Sequence, residues 1–300
     1  MLTKDIKTLW QFSRPHTIIG STLSILSIFA IAIGTSSPVF ISPYLLPLSL
    51  LSALTCNIYI TGLNQWSDVE VDKINKPWLP VAAGTLSKWQ ALYIVQICGI
   101  ISLIAAVFLS LFFFLLILSI LAIGTAYSLP PLKFKRSHLL AAAAISVVRG
   151  LLVNIGFYVH FRHEMLNEWS FSTAILPLTV FVTAFSLGIA WFKDIPDTKG
   201  DAVYQFSTLA VKSGRQKAFV AGLLVVSFAY LYIIFSALTG QLPSWQLYVT
   251  FHLLALVLFL WQARTLQISD DLQVKRFYMF FWGLFFLEYV IYPVGFYLPQ

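Results

Sequence analysis

Hydrophobic residues run along this chain in long blocks separated by short polar segments. A helix needs about 20 apolar residues to cross a hydrocarbon core roughly 30 Å thick. Nine stretches have that length, at 17–35, 45–63, 89–109, 111–127, 139–157, 171–192, 218–238, 247–263 and 277–297. Only Ser110 interrupts the run holding the third and fourth, which must be split to account for its length. The pattern predicts an all-α integral membrane protein, nine transmembrane helices in a bundle, forming a single membrane domain over residues 1–300.

Polar residues of one kind recur where two of these blocks end. Asn64, Asp68 and Asp72 follow the second block at four-residue steps, so on a continuing helix their side chains stack on one face. Lys193, Asp197 and Asp201 repeat the step after the sixth block. The offset is constant: 197 − 68 = 129 and 201 − 72 = 129, while Asn64 corresponds to Lys193. Two parallel four-helix repeats would produce this register. Six of the twelve acidic residues (Asp68, Glu70, Asp72, Asp194, Asp197 and Asp201) lie in these two segments. Neighbouring carboxylates repel unless a cation lies between them, and hard oxygen donors favour Mg2+ over zinc or copper.

Composition removes the soluble alternatives. The chain is 59% hydrophobic, 16% aromatic and only 10% charged, against roughly a quarter charged in soluble domains. Its medium is the lipid bilayer. The two cysteines, Cys56 and Cys98, lie inside apolar runs, which suggests neither a disulfide framework nor a metal knuckle. The polar residues up to Arg14 do not read as a cleavable leader, and nothing calls for nucleic acid or an obligate protein partner. With the N terminus inside, the inner segments hold Lys4, Lys7, Arg14, Lys73, Lys76, Lys88, Lys133, Lys135, Arg136, Lys193, Lys199, Lys212, Arg215, Lys217, Arg264, Lys275 and Arg276, seventeen of nineteen basic residues. This bias follows the positive-inside rule. It places both aspartate motifs and the basic loop 133–136 on one, cytosolic face, where they can build one site.

Carboxylates beside lysines and arginines suit a magnesium-bound phosphate, because Mg2+ takes few protein ligands and lets the substrate supply others. In an apolar helical bundle that phosphate belongs to a lipid, and an allylic diphosphate fits best. The Asn64 to Asp72 motif resembles the NxxxDxxxD signature of the UbiA superfamily of intramembrane aromatic prenyltransferases, and Lys193 to Asp201 is similar to its second motif. Arg14-Pro15-His16, the run from Asp72 to Pro80 with Gly84, Tyr127 to Pro131, Lys135-Arg136, Val148 to Asn154 and Phe285 to Tyr289 resemble the homogentisate phytyltransferase branch, particularly its cyanobacterial members. The likeness covers essentially the whole chain.

That resemblance implies roles. Asn64, Asp68, Asp72, Asp197 and Asp201 would hold two Mg2+ ions on phytyl diphosphate, with Lys135, Arg136, Arg149 and Lys193 binding the diphosphate. Tyr127, Tyr158 and Trp191 would line the substrate and stabilise an allylic cation. Arg14, His16 and His160 would contact the aromatic acid, homogentisate. Its acetate-bearing ring carbon would attack, with decarboxylation, giving a methylated phytyl quinol for tocopherol synthesis, in the thylakoid or plasma membrane of a cyanobacterium. Geranylgeranyl or solanesyl donors and other phenolic acceptors are the related alternatives. A membrane transporter is the distant one, disfavoured because the acidic residues sit at span ends and not at the midplane.

Several residues have structural readings. Arg149 lies turns deep in a span, where charge usually faces a cavity or partner. Glu288 reads as the partner of a buried polar group and His252 as core. The loops 73–87 and 198–215 are either caps over the site or plain connectors.

Overall fold

A computed structural model describes residues 2–36, 40–167, 169 and 171–298. Among the described residues, nine helices are long and apolar enough to cross a membrane, and there are no β-strands. After α1 (Leu2–Phe12) come α2 (Pro15–Gly34), α3 (Leu45–Ser67), the short α4 (Val69–Asn75), α5 (Lys88–Val107) and α6 (Leu111–Ser128). The fifth span joins α7 (His138–Ser146), a π-helix (Val147–Gly156) and α8 (Phe157–Leu166). Then follow α9 (Leu176–Asp194), the short α10 (Thr198–Val203) and α11 (Leu209–Ser213), and finally α12 (Arg215–Leu238), α13 (Trp245–Arg264) and α14 (Asp271–Val294).

The boundaries have local causes. The third and fourth spans part where Ser110 turns extended and its hydroxyl caps α6 by accepting from Phe113 N at 3.2 Å, satisfying a helix-end donor. Ser87 and Gln90 form a capping box that starts α5,. The fifth span runs from His138 to Leu166, well past the expected end at 157. Hydropathy fails there because His160, Arg162, His163 and Glu164 are polar. Arg162 is nevertheless satisfied internally: Nη1 donates to Thr35 O at 2.9 Å and the guanidinium lies over the Tyr158 ring.

Large apolar side chains point outward at helical intervals, including Ile97, Ile100 and Ile104 on α5 and Leu224, Phe228, Leu231 and Phe235 on α12. In water such faces would be a liability; in hydrocarbon they are the solvent-facing surface.

The residues group into two compact units, each discontinuous in sequence. The first comprises Met1–Thr22, Pro43–Ala144 and Asp197–Ser207, and the second Leu23–Ser42, Ile145–Pro196 and Thr208–Gln300. In the first, α3 packs on α5 and α6, and α4 packs on α10. The 73–87 loop is part of that packing, with Val81 and Leu86 buried against Phe12, Leu63 and Val95. Ser207 pairs with the basic loop through Ser207 N to Arg136 O (2.8 Å) and His138 N to Ser207 O (3.1 Å). In the second unit, α9 packs on α12, α14 and the π-helix, with Phe185 and Phe281 stacked at 4.1 Å. His252 and Glu288 are buried there as a pair, Nε2 to Oε2 2.9 Å. Glu288 therefore does partner a buried polar group. Because Tyr248 O can only accept, His252 Nδ1 donates to it at 2.7 Å, and one proton is shared between Nε2 and Glu288.

Candidate active site

The first motif does not lie on one unbroken helix. Asn64 is in the last turn of α3; Asp68 ends it at φ −111°, ψ 18° and precedes α4. The register survives because the backbone keeps four-residue bonds through the break: Asp68 N to Asn64 O (3.0 Å), Asp72 N to Asp68 O (2.8 Å) and Lys76 N to Asp72 O (2.7 Å). The stripe thus gains a fourth member, Lys76. The second motif is built the same way. α9 ends at Asp194, Asp197 precedes α10, and Asp201 N donates to Asp197 O at 3.1 Å. Asp197 and Asp201 belong to the same compact unit as Asn64, Asp68 and Asp72.

Two residues that sequence reasoning left out of the site join these motifs. Lys76 forms an ion pair with Asp197 Oδ2. Asn75 accepts from Gly200 N (2.8 Å) and donates to Asp201 Oδ1 (3.2 Å). The approach is close enough that a β-carbon on Gly200 would lie 2.5 Å from Asn75 Oδ1, so glycine is required there. Lys135 is buried and forms an ion pair with Asp68 Oδ1 at 2.7 Å while donating to Ser67 Oγ at 2.6 Å. Arg14 Nη2 donates to Asn64 Oδ1 (3.2 Å), and Asn64 Nδ2 donates to Asp68 Oδ2 (3.0 Å). Arg136, adjacent to Lys135, is exposed.

Asp68, Asp72, Asp197 and Asp201 are only 8, 5, 4 and 6% exposed. Burial pushes the Asp72 carboxyl up to about 6, against the pull of Lys76 and Arg14 and with the help of Asp68 and Asp197. Burial likewise brings Lys135 down to about 8 against the opposing attraction of Asp68. At Lys76 burial also acts downward, but Asp197 and Asp72 outweigh it and the net shift is upward. Four carboxylates thus face three cations, Lys76, Lys135 and Arg14.

This donor set fits magnesium. Asp72 Oδ2 and Asp197 Oδ1 are buried without a hydrogen-bond partner among the described residues, a costly state for a carboxylate oxygen unless a cation takes the lone pairs. All the donors are oxygens. Among the described residues no three His, Cys, Asp or Glu side chains converge to cage one ion. Mg2+ tolerates this, since it keeps water or substrate phosphate as ligands.

The remaining candidates fall in both units. Tyr127 and His16 are half-buried in the first unit. In the second unit Lys193 Nζ is 3.5 Å from Asp194 Oδ1, and Trp191 is half-buried with its Nε1 lacking a hydrogen-bond partner among the described residues. Tyr158 is fully buried, bonded through its hydroxyl to Thr35 Oγ1 at 2.7 Å, with one ring face taken by Arg162. That arrangement is an interhelical lock and leaves that face already serving a cation. His160 is fully buried, 4.0 Å from Glu164 Oε1. Arg149 lies on the π-helix, its guanidinium 4.9 Å from the centroid of Trp282.

A multi-pass membrane bundle carrying buried, paired aspartate motifs with lysines between them defines a class of protein, the intramembrane transferases of diphosphate esters. The chain belongs to the UbiA prenyltransferase family, which it matches over residues 24–284, and it is a prenyltransferase. It is 40% identical to the homogentisate phytyltransferase of Synechocystis sp., over 98% of this chain and 97% of that protein. It is 37% identical to homogentisate phytyltransferase 1 of Arabidopsis thaliana, over 96% of this chain and 75% of that one. The fold is similar to that of a UbiA homolog from Archaeoglobus fulgidus bound to GPP and Mg2+ (TM-score 0.68, 16% identity, 96% and 99% coverage). It is also similar to the apo UbiA homolog of Aeropyrum pernix (TM-score 0.70, 17% identity, 94% and 96% coverage).

Proposed function

We propose that this chain transfers the phytyl group of phytyl diphosphate to homogentisate with loss of carbon dioxide, giving 2-methyl-6-phytylbenzoquinol for tocopherol synthesis. The observation that carries the reading is the 40% identity, over nearly the full length of both chains, to the Synechocystis homogentisate phytyltransferase. The buried oxygen site supports it chemically. Asn64, Asp68, Asp72, Asp197 and Asp201 would hold Mg2+, which would supply positive charge for the departing diphosphate. Lys135 and Lys76, paired with Asp68 and Asp197, are the chain's own cations for diphosphate oxygens, together with Arg14. Charge placed in advance where charge develops is typically among the largest catalytic contributions.

The allylic carbon–oxygen bond breaks with its electron pair leaving on diphosphate, and a ring carbon of homogentisate takes up the allylic cation. Expected attack at the acetate-bearing carbon is corrected by the product's substitution. Methyl and phytyl flank one hydroxyl, so the attacking carbon lies across that hydroxyl from the acetate. The ring proton lost there balances the proton gained when the acetate loses carbon dioxide and becomes methyl. Apolar walls keep water from the cation. The basic-residue bias supports placing the N terminus and both motif loops in the cytosol.

A second donor is favoured by specific relatives: the chain is 36% identical to the homogentisate geranylgeranyltransferase of Triticum aestivum and 37% to the homogentisate solanesyltransferase of Arabidopsis thaliana. Competition among phytyl, geranylgeranyl and solanesyl diphosphates, with products resolved by mass, tests the donor. A phytyl product dominating at equal concentrations supports the proposal; a dominant geranylgeranyl or solanesyl product replaces the donor and leaves the reaction class intact.

A further inference from the structure

Arg149 lies eleven residues past His138 in a span that runs to Leu166, a depth at which a charge is costly without a partner. Among the described residues no carboxylate lies within ion-pairing distance of it. Glu288, the only acid of α14 beyond Asp271, is bonded to His252 instead. What surrounds the guanidinium is aromatic: Trp282 lies beneath it, and the hydroxyls of Tyr278 and Tyr289 are within electrostatic reach.

The protein also fixes this side chain in place. Val147–Gly156 is a π-helix, a rare form that is frequent at functional sites. Asn154, fully buried, donates through Nδ2 to the carbonyls of Arg149 (2.7 Å) and Gly150 (2.8 Å), and its Oδ1 accepts from Tyr289 OH (3.1 Å). Gly150 sits so near α9 that a β-carbon would lie 2.1 Å from Thr183 Oγ1 and 2.8 Å from Thr183 Cα. The turn carrying Arg149 is therefore pinned from both sides.

We propose that Arg149 is the anchor for the carboxylate of the aromatic acceptor, and not a ligand of the diphosphate as the sequence suggested. The assignment rests on the homogentisate reading above. Two anionic groups enter that reaction. The diphosphate belongs with the aspartate motifs, which sit at span ends and have their own cations in Lys76, Lys135 and Arg14. The acceptor brings a carboxylate on an aromatic ring. A guanidinium offers carboxylate a planar two-pronged donor, and the Trp282 and Tyr278 side chains suit the ring.

The test is steady-state kinetics of purified Arg149→Gln and Arg149→Lys, varying each substrate separately. The expected result for Arg149→Gln is a homogentisate KM raised ten- to a hundredfold with the phytyl diphosphate KM within threefold of wild type. Arg149→Lys, which keeps the charge without the fork, falls between. With the methyl ester of homogentisate as binding competitor, wild type prefers the free acid and Arg149→Gln loses that preference. This equilibrium readout holds even if turnover is lost. A raised phytyl diphosphate KM with homogentisate unaffected overturns the proposal in favour of diphosphate binding. Unchanged values for both substrates in folded variants overturn it in favour of a structural role. Absence of homogentisate product in wild type is a different failure, which removes the acceptor reading and this assignment with it.

Discussion

Replacing Asn75 by alanine separates the two carboxylate motifs without touching a carboxylate. The side chain makes two buried bonds, from Gly200 N at 2.8 Å and to Asp201 Oδ1 at 3.2 Å. Leaving a buried backbone N–H unsatisfied costs about 1–3 kcal/mol, and a hydrogen bond to a charged group is worth about 1.5–3 kcal/mol. The docking of α10 on α4 therefore loses roughly 2.5–6 kcal/mol. Since about 1.4 kcal/mol is tenfold in an equilibrium, kcat/KM for phytyl diphosphate should fall by roughly sixtyfold to twenty-thousandfold. The Mg2+ concentration for half-maximal rate should rise in parallel. The assay is product formation by detergent-solubilised variant across a magnesium titration, with thermal unfolding as the check on folding. A folded Asn75→Ala enzyme with rate and magnesium dependence within twofold of wild type would show that Asn75 does not hold the two motifs together.

Gly200→Ala alone should impair activity by forcing a β-carbon into Asn75 Oδ1,; in the Asn75→Ala background the added loss should be much smaller, and strict additivity of the two effects in rate would contradict the contact. Asp68→Ala and Asp197→Ala should each abolish turnover while the protein stays folded in the membrane, and near-normal activity of either purified variant would overturn the metal assignment. His252→Ala strands the buried Glu288 carboxyl and should cost about 3–5 kcal/mol of stability, read as a lowered unfolding temperature; an unchanged melt would show that the pair contributes nothing to folding.

The nine spans were legible because hydrocarbon demands long unbroken apolar runs, and Ser110 marked the one ambiguous split. The carboxylate stripe was legible because a four-residue step survives even a break in the helix, as the bond from Asp72 N to Asp68 O shows. Asn75 and Lys76 were not legible as site residues, since their partners lie more than a hundred residues away and no periodicity links them. Their place three and four residues past Asp72, one helical turn beyond it, was the available signal. The π-helix left a fainter trace in Asn154 standing five residues beyond Arg149. Of two adjacent basic residues, Lys135 turns inward to Asp68 while Arg136 stays exposed, a difference set by the packing of a short loop that composition does not record.

Metal-dependent, decarboxylating phytyl transfer has a fixed stoichiometry that can be measured directly. Purified protein is given phytyl diphosphate, carboxyl-labelled homogentisate and Mg2+, and both the quinol and the released carbon dioxide are quantified before and after chelation. One labelled carbon dioxide is expected for each 2-methyl-6-phytylbenzoquinol, with both ceasing on chelation and returning with added Mg2+. Folded protein that forms no quinol, or forms it undiminished without divalent metal, contradicts magnesium-dependent phytyl transfer to homogentisate.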